Sequence, residues 1–102
     1  MLLKLSTTSK HDGVELGVVS GSIVKSRFFI KDIFAGFRKF FGMELVEYSE
    51  MVKEAREEAT KRMIAEAETL GATGIVNVRF TTSMITSQAA EVLAYGTAVK
   101  EE

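Results

Sequence analysis

The sequence predicts an α+β domain in the order β-β-(short α)-α-β-β, with an antiparallel sheet and a long helix packed on it. Three observations carry this expectation. Segments near both ends alternate with the period of two that a strand requires. Two segments in the middle switch to the 3.6-residue period of a helix. The helical segments are grouped between the strand pairs rather than interleaved with them, which fits hairpins on one side of a helical layer better than a wound parallel sheet.

The elements follow in chain order. Residues 2–8 form a short strand with Leu3, Leu5 and Thr7 on one face. Asp12-Gly13 is a turn dipeptide, because Gly enters φ > 0 without steric cost. Residues 14–25 form a longer strand. Leu16, Val18 and Val24 share one parity while Val19 and Ile23 share the other, so the strand is expected to be covered on both sides. Gly17 and Gly21 interrupt it, as glycines do at a bulge or a close backbone approach.

Residues 30–41 place Ile30, Ile33, Phe34, Phe37, Phe40 and Phe41 on one helical stripe. Gly36 costs this short helix about 1 kcal/mol relative to Ala, and Gly42 stands at its C-terminal stop. Residues 46–70 are the clearest helix, with Tyr48, Met51, Val52, Ala55, Ala59, Met63, Ala67 and Leu70 in phase. Glu57–Lys61 and Glu58–Arg62 are i,i+4 pairs in the favourable order, each worth about 0.2–0.5 kcal/mol. Gly71 then supplies the left-handed residue that ends many helices. Residues 73–81 alternate again, with Val76, Val78 and Phe80 on one face. The polar run 82–88 reads as a connection, and 89–100 as the last strand.

At 102 residues the chain makes a single domain over 1–102 with a thin margin for a core. Six of its seven Phe residues lie between positions 28 and 41. A fully buried Phe contributes about 1.5–3 kcal/mol, so leaving this stripe wet would rival the whole stability of a small domain. Either the Phe residues fill the monomer core, or they fill it and also build a subunit interface, with Phe34, Phe37, Phe40 and Phe41 as the candidates. Partnering with further copies of the same chain is the expectation.

The chain carries 13 basic and 14 acidic residues, a net charge of -1. That balance lacks the basic footprint of a nucleic-acid binder. Lys25, Arg27, Lys31, Arg38 and Lys39 cluster around the Phe stripe, and Glu44, Glu47, Glu50, Glu54, Glu57 and Glu58 follow. These charges read as solvated helix faces or as complementary charge across an interface. A basic-aromatic membrane surface is opposed by the nearby glutamates, so neither nucleic acid nor membrane is expected as a partner. The opening residues Met1–Leu5 are too short an apolar run for a signal peptide, and the cytoplasm is the expected location.

Zero Cys and one His leave little for catalysis or for soft metals. No cofactor is evident and no enzyme is expected. His11, beside Asp12 in the turn, reads as an exposed turn histidine. As a weak metal candidate it would need copies gathered around the axis of a ring, and carboxylates alone would favour hard ions. Gly17-Val18-Val19-Ser20-Gly21-Ser22 lacks the Gly-Lys-Ser/Thr of a phosphate loop and opens no helix. The Ser20 and Ser22 hydroxyls are weak candidates for lining a small polar pocket, with the ligand unknown.

Five segments in order then show a likeness. They are Val18-Val19-Ser20-Gly21, Lys31-Asp32-Ile33-Phe34-Ala35-Gly36-Phe37-Arg38, Ala55-Arg56-Glu57-Glu58-Ala59, Glu66 through Val76, and Gly96-Thr97-Ala98-Val99. Together the chain resembles the YbjQ-like family over residues 6–100. The resemblance implies a dodecin-like subunit with a short extra helix, and a closed ring, typically a homopentamer. It also implies a family label of heavy-metal binding with no established activity. That label does not transfer residue by residue, since the chain has no Cys and His11 lies outside the matched segments. The expected function is a homo-oligomeric binding or scaffold protein. The alternative is a metal-binding protein using carboxylates or His11 gathered across subunits.

Overall fold

The computed structural model describes residues 3–26, 43–86 and 89–101, with side chains from 49 onward in the long helix. The short helix expected over 30–41, and with it Phe34, Phe37, Phe40 and Phe41, lies outside the described residues. The elements are β1 (Lys4–Leu5), β2 (Val14–Ser26), α1 (Met43–Thr69), β3 (Gly74–Thr86) and β4 (Ala89–Lys100). They form an α+β domain, as the periodicities indicate.

The sheet order is β1-β3-β4-β2. β4 lies between β3 and β2 and pairs antiparallel with both. β1 pairs parallel with β3, through Lys4 opposite Gly74 and Leu5 opposite Ile75. The sheet is therefore mixed, where a wholly antiparallel one was expected. β1 is also far shorter than the 2–8 segment, yet Ser6 and Thr8 continue its contact. The Ser6 N–H donates to the Ile75 carbonyl at 2.9 Å, and the Ser6 and Thr8 carbonyls accept from Val78 and Asn77.

The helix covers one face of the sheet, and its buried side chains recur every fourth position: Met51, Ala55, Ala59, Met63 and Ala67. Against this row the sheet sets Val19, Ile75, Val92, Ala94 and Ala98. Small residues bring the two layers close. A Cβ built on Gly21 would collide with the Ala59 carbonyl oxygen and the Met63 amide nitrogen. The Arg62 guanidinium ties the layers further by donating to the Ser22 carbonyl at 2.8 Å. Glu58 stands 3.7 Å from Arg62 as the i,i+4 spacing anticipates.

The helix ends on a Schellman motif. Gly71 sits at φ 79°. Its N–H donates to the Glu68 carbonyl, and the Ala72 N–H reaches back to Ala67. Leu70 falls at this end and is 46% exposed; it leaves the apolar stripe because the chain has already begun to turn.

Two of the register slips in the sheet reset which residues face the helix. In β2 the register slips between Glu15 and Gly17. Leu16 packs against the core cluster, although it shares parity with Val18, which is exposed. In β3 the register slips between Val76 and Arg79, at Asn77, whose φ is 55°. Val76 pairs with Thr97 and Phe80 with Ala94, so the two do not share a face as simple alternation implied. β3 also runs on to Thr86, through residues expected to form a connection. Thr81, Thr82 and Ser83 pair with Leu93, Val92 and Glu91, and threonine suits a pleated strand whatever its polarity.

The far face of the sheet is covered near Val76 and Val99 and open further along among the described residues. Val18 and Val24 are exposed there and Tyr95 is partly exposed. The two-sided cover expected for β2 is therefore not supplied by the described part of one chain.

Candidate functional site

Ser6, Lys10 and His11 belong to the segment that links β1 to β2, and this segment folds back over the end of the sheet. The Arg79 guanidinium fastens it by donating to the Thr7 carbonyl at 2.9 Å. The Ser6 and Thr8 hydroxyls lie 2.8 Å apart, and the Thr8 N–H donates to Ser6 Oγ at 3.0 Å. From the other side, the end of β4 is held by the Glu101 N–H donating to Thr73 Oγ1 at 2.8 Å. Between these walls lies a cavity of about 200 Å³, lined by residues of β1, the linking segment, β3 and the end of β4.

His11 lines this cavity. Its side chain is only 13% exposed, which corrects the expectation of an exposed turn histidine. The turn is pinned to the sheet, and the imidazole is pinned with it. Nε2 lies 3.5 Å from a Glu15 carboxylate oxygen. Nδ1 is buried and has no hydrogen-bond partner. The Asp12 N–H points to the Glu101 carboxylate at 3.5 Å. The adjacency of His11 and Asp12 in sequence does not become a side-chain pair; Glu15 and Glu101 are the carboxylates that matter. Sequence reasoning missed Lys4, Ser6, Lys10 and Glu101 because they come from opposite ends of the chain, which the β1–β3 pairing and the β3–β4 pairing bring together.

Ser20 and Ser22 lie on the open face of β2, opposite Tyr95 and Leu93. Ser20 is half-buried and Ser22 exposed. Neither lines the His11 cavity, so the structure does not gather the serine and histidine candidates into one site.

Comparison with known proteins gives one consistent match. The YbjQ family model, described as "Putative heavy-metal-binding", matches residues 3–102. A UPF0145 protein of Photobacterium profundum is 58% identical over 98 residues, covering 92% of this chain and 95% of the relative. One from Methanosarcina acetivorans is 50% identical over 100 residues, covering 94% of each. A crystal structure of a protein of unknown function in the DUF74 family, from Pediococcus pentosaceus, superposes with a TM-score of 0.75. It covers 98% of both chains at 15% identity, which supports the fold alone.

The residues present do not fit a heavy metal. Among the described residues no group of three or more His, Cys, Asp or Glu is placed to hold an ion. Soft and borderline ions need thiolate or imidazole donors, and the chain has one imidazole and no thiol.

Proposed function

The chain belongs to the YbjQ family, and from that premise we propose that it is a non-enzymatic, homo-oligomeric binding or scaffold protein. The single observation behind this is the distal half of β3. Beyond Val78, β1 no longer covers the strand, and among the described residues its outer edge has no strand partner. On that stretch Phe80 is 46%, Met84 64% and Ile85 54% exposed. A free edge bearing large apolar side chains is a template for another chain unless it is covered. We assign a second copy of this chain as the cover.

Two further features support the assignment. The radius of gyration is 16.8 Å, and the extents are 55 × 22 × 22 Å, against about 13 Å for a compact domain of this size. The described core is built from small and aliphatic side chains, while both described aromatic side chains, Phe80 and Tyr95, are at least partly exposed. The opposite edge of the sheet, β2, has among the described residues one strand neighbour, β4, and carries exposed Val18 and Val24. Pairing unlike edges of successive copies is heterologous association, which closes into a ring when the rotation allows. A ring of five dodecin-like subunits, as the resemblance implies, is the assembly we propose, with Phe34, Phe37, Phe40 and Phe41 adding apolar area.

A cytoplasmic location is part of the proposal. Among the described residues no helix is long and apolar enough to cross a membrane. Sedimentation equilibrium of the purified chain tests the assembly: a mass five times the 11.2 kDa subunit is expected, and a single 11.2 kDa species contradicts it.

A further inference from the structure

We infer that the cavity beside His11 binds a small oxyanion, of the phosphate or carboxylate class, rather than a metal cation. Its volume of about 200 Å³ exceeds the share of a single water, about 30 Å³. It falls below the roughly 300 Å³ at which pockets for larger organic ligands begin. A ligand of a few heavy atoms fits that range.

The polar lining favours an anion. Lys4 and Lys10 both line the cavity, with Glu101 as the one carboxylate. Among the described residues neither lysine is ion-paired. The neighbouring carboxylates, by contrast, already have donors: Glu101 faces the Asp12 N–H at 3.5 Å and Glu15 faces His11 Nε2 at 3.5 Å. Two exposed lysines without an ion pair therefore border a recess with apolar walls at Val76 and Val99, where charge-assisted hydrogen bonds are stronger than in open water.

His11 and Ser6 line the cavity beside Lys4 and Lys10, so an oxyanion meets hydroxyl and cationic donors there. A divalent cation gains Glu101 but meets two lysines, each repelling it. The donor set is a poor cation cage and a serviceable anion cradle.

The sole histidine makes the test direct, because its imidazole C–H resonances need no assignment. The full-length protein is titrated with inorganic phosphate, with acetate and with zinc chloride, at constant ionic strength. Saturable movement of the His11 resonances by phosphate or acetate is expected, and whichever saturates identifies the class. In the Lys4→Gln/Lys10→Gln variant, with unchanged circular dichroism, the apparent affinity falls by about tenfold or more. The single Lys10→Gln variant, in the segment outside the strands, gives the same direction if the double variant fails to fold. Responses that stay linear for both anions, or that are equal in wild type and variant, overturn the inference. So does saturable zinc binding that phosphate does not displace.

Discussion

Ile75 and Phe80 lie on the same strand and on the same side of the sheet, opposite Ala98 and Ala94. Ile75 is fully buried, whereas Phe80 is 46% exposed. The difference is what covers them. The proximal half of β3 has β1 along its edge and is part of the core cluster. The distal half extends past both, and the helix contributes few contacts to β3 because it lies over β2 and β4. One strand therefore serves two purposes: its first part closes the subunit, and its second part holds apolar surface ready for a neighbour. Side-chain hydrophobicity alone does not separate the two halves. Position relative to the helix and to β1 does.

Substitutions at the closed half should unfold the subunit, and those at the open half should not. The largest effect is expected at Gly21, where the helix backbone rests on the strand. Gly21→Leu has no space without displacing the helix and should cost about 3 kcal/mol or more, at the upper end of overpacking penalties. Chemical denaturation, or loss of soluble protein, reads this out. Met63 is fully buried at the centre of the helix row. Met63→Ala should cost about 2–5 kcal/mol through lost contacts and a residual cavity, with an unchanged m-value. Asn77 divides the two halves at its bulge, with φ 55°. Asn tolerates this conformation far better than a β-branched residue. Asn77→Val should therefore cost about 1–2 kcal/mol, or drive the bulge out and turn Phe80 to the opposite face. A thermal melt measures the first outcome, and altered hydrogen exchange along β3 detects the second. The smallest effect on subunit folding is expected at Phe80 and Met84, within about 0.5 kcal/mol per site for the isolated chain.

Much of the fold was legible because its periodicities are strong. The row Met51, Ala55, Ala59, Met63 and Ala67 announces both the helix and its buried face. Gly71 marks the helix end for a steric reason that holds in any context. Of the bulge or close approach that Gly21 signals, the structure has the close approach, because only a residue without a side chain permits that layer spacing. The failures share a different cause. Parity along a strand survives only until a bulge, and nothing in the types of Glu15–Gly17 or Val76–Arg79 states where the register slips. The run Thr82–Thr86 reads as a connection because its polarity masks the β-propensity of its threonines, yet it continues β3. β1 pairs with a strand about 70 residues away, and two residues of parallel pairing leave no local pattern.

The candidate site was less legible for the same reason. His11 stood out by being the only imidazole, but its burial depends on a segment pinned by Arg79 and Ser6. Lys4, Lys10 and Glu101 are ordinary charges until the mixed sheet gathers them. The scarcity of Cys and His was informative from the start. It leaves one chain few of the donors that soft metals prefer, and the fold sets two lysines beside a small cavity.

The central claim is that the exposed half of β3 is covered by another copy of the chain. Sedimentation equilibrium on wild type and on Phe80→Asp/Met84→Asp tests it most directly. Wild type is expected to sediment as a pentamer, and the variant as a folded species near 11.2 kDa, with the far-ultraviolet circular dichroism of wild type. A wild-type monomer, or a variant that keeps the wild-type mass, would contradict the claim.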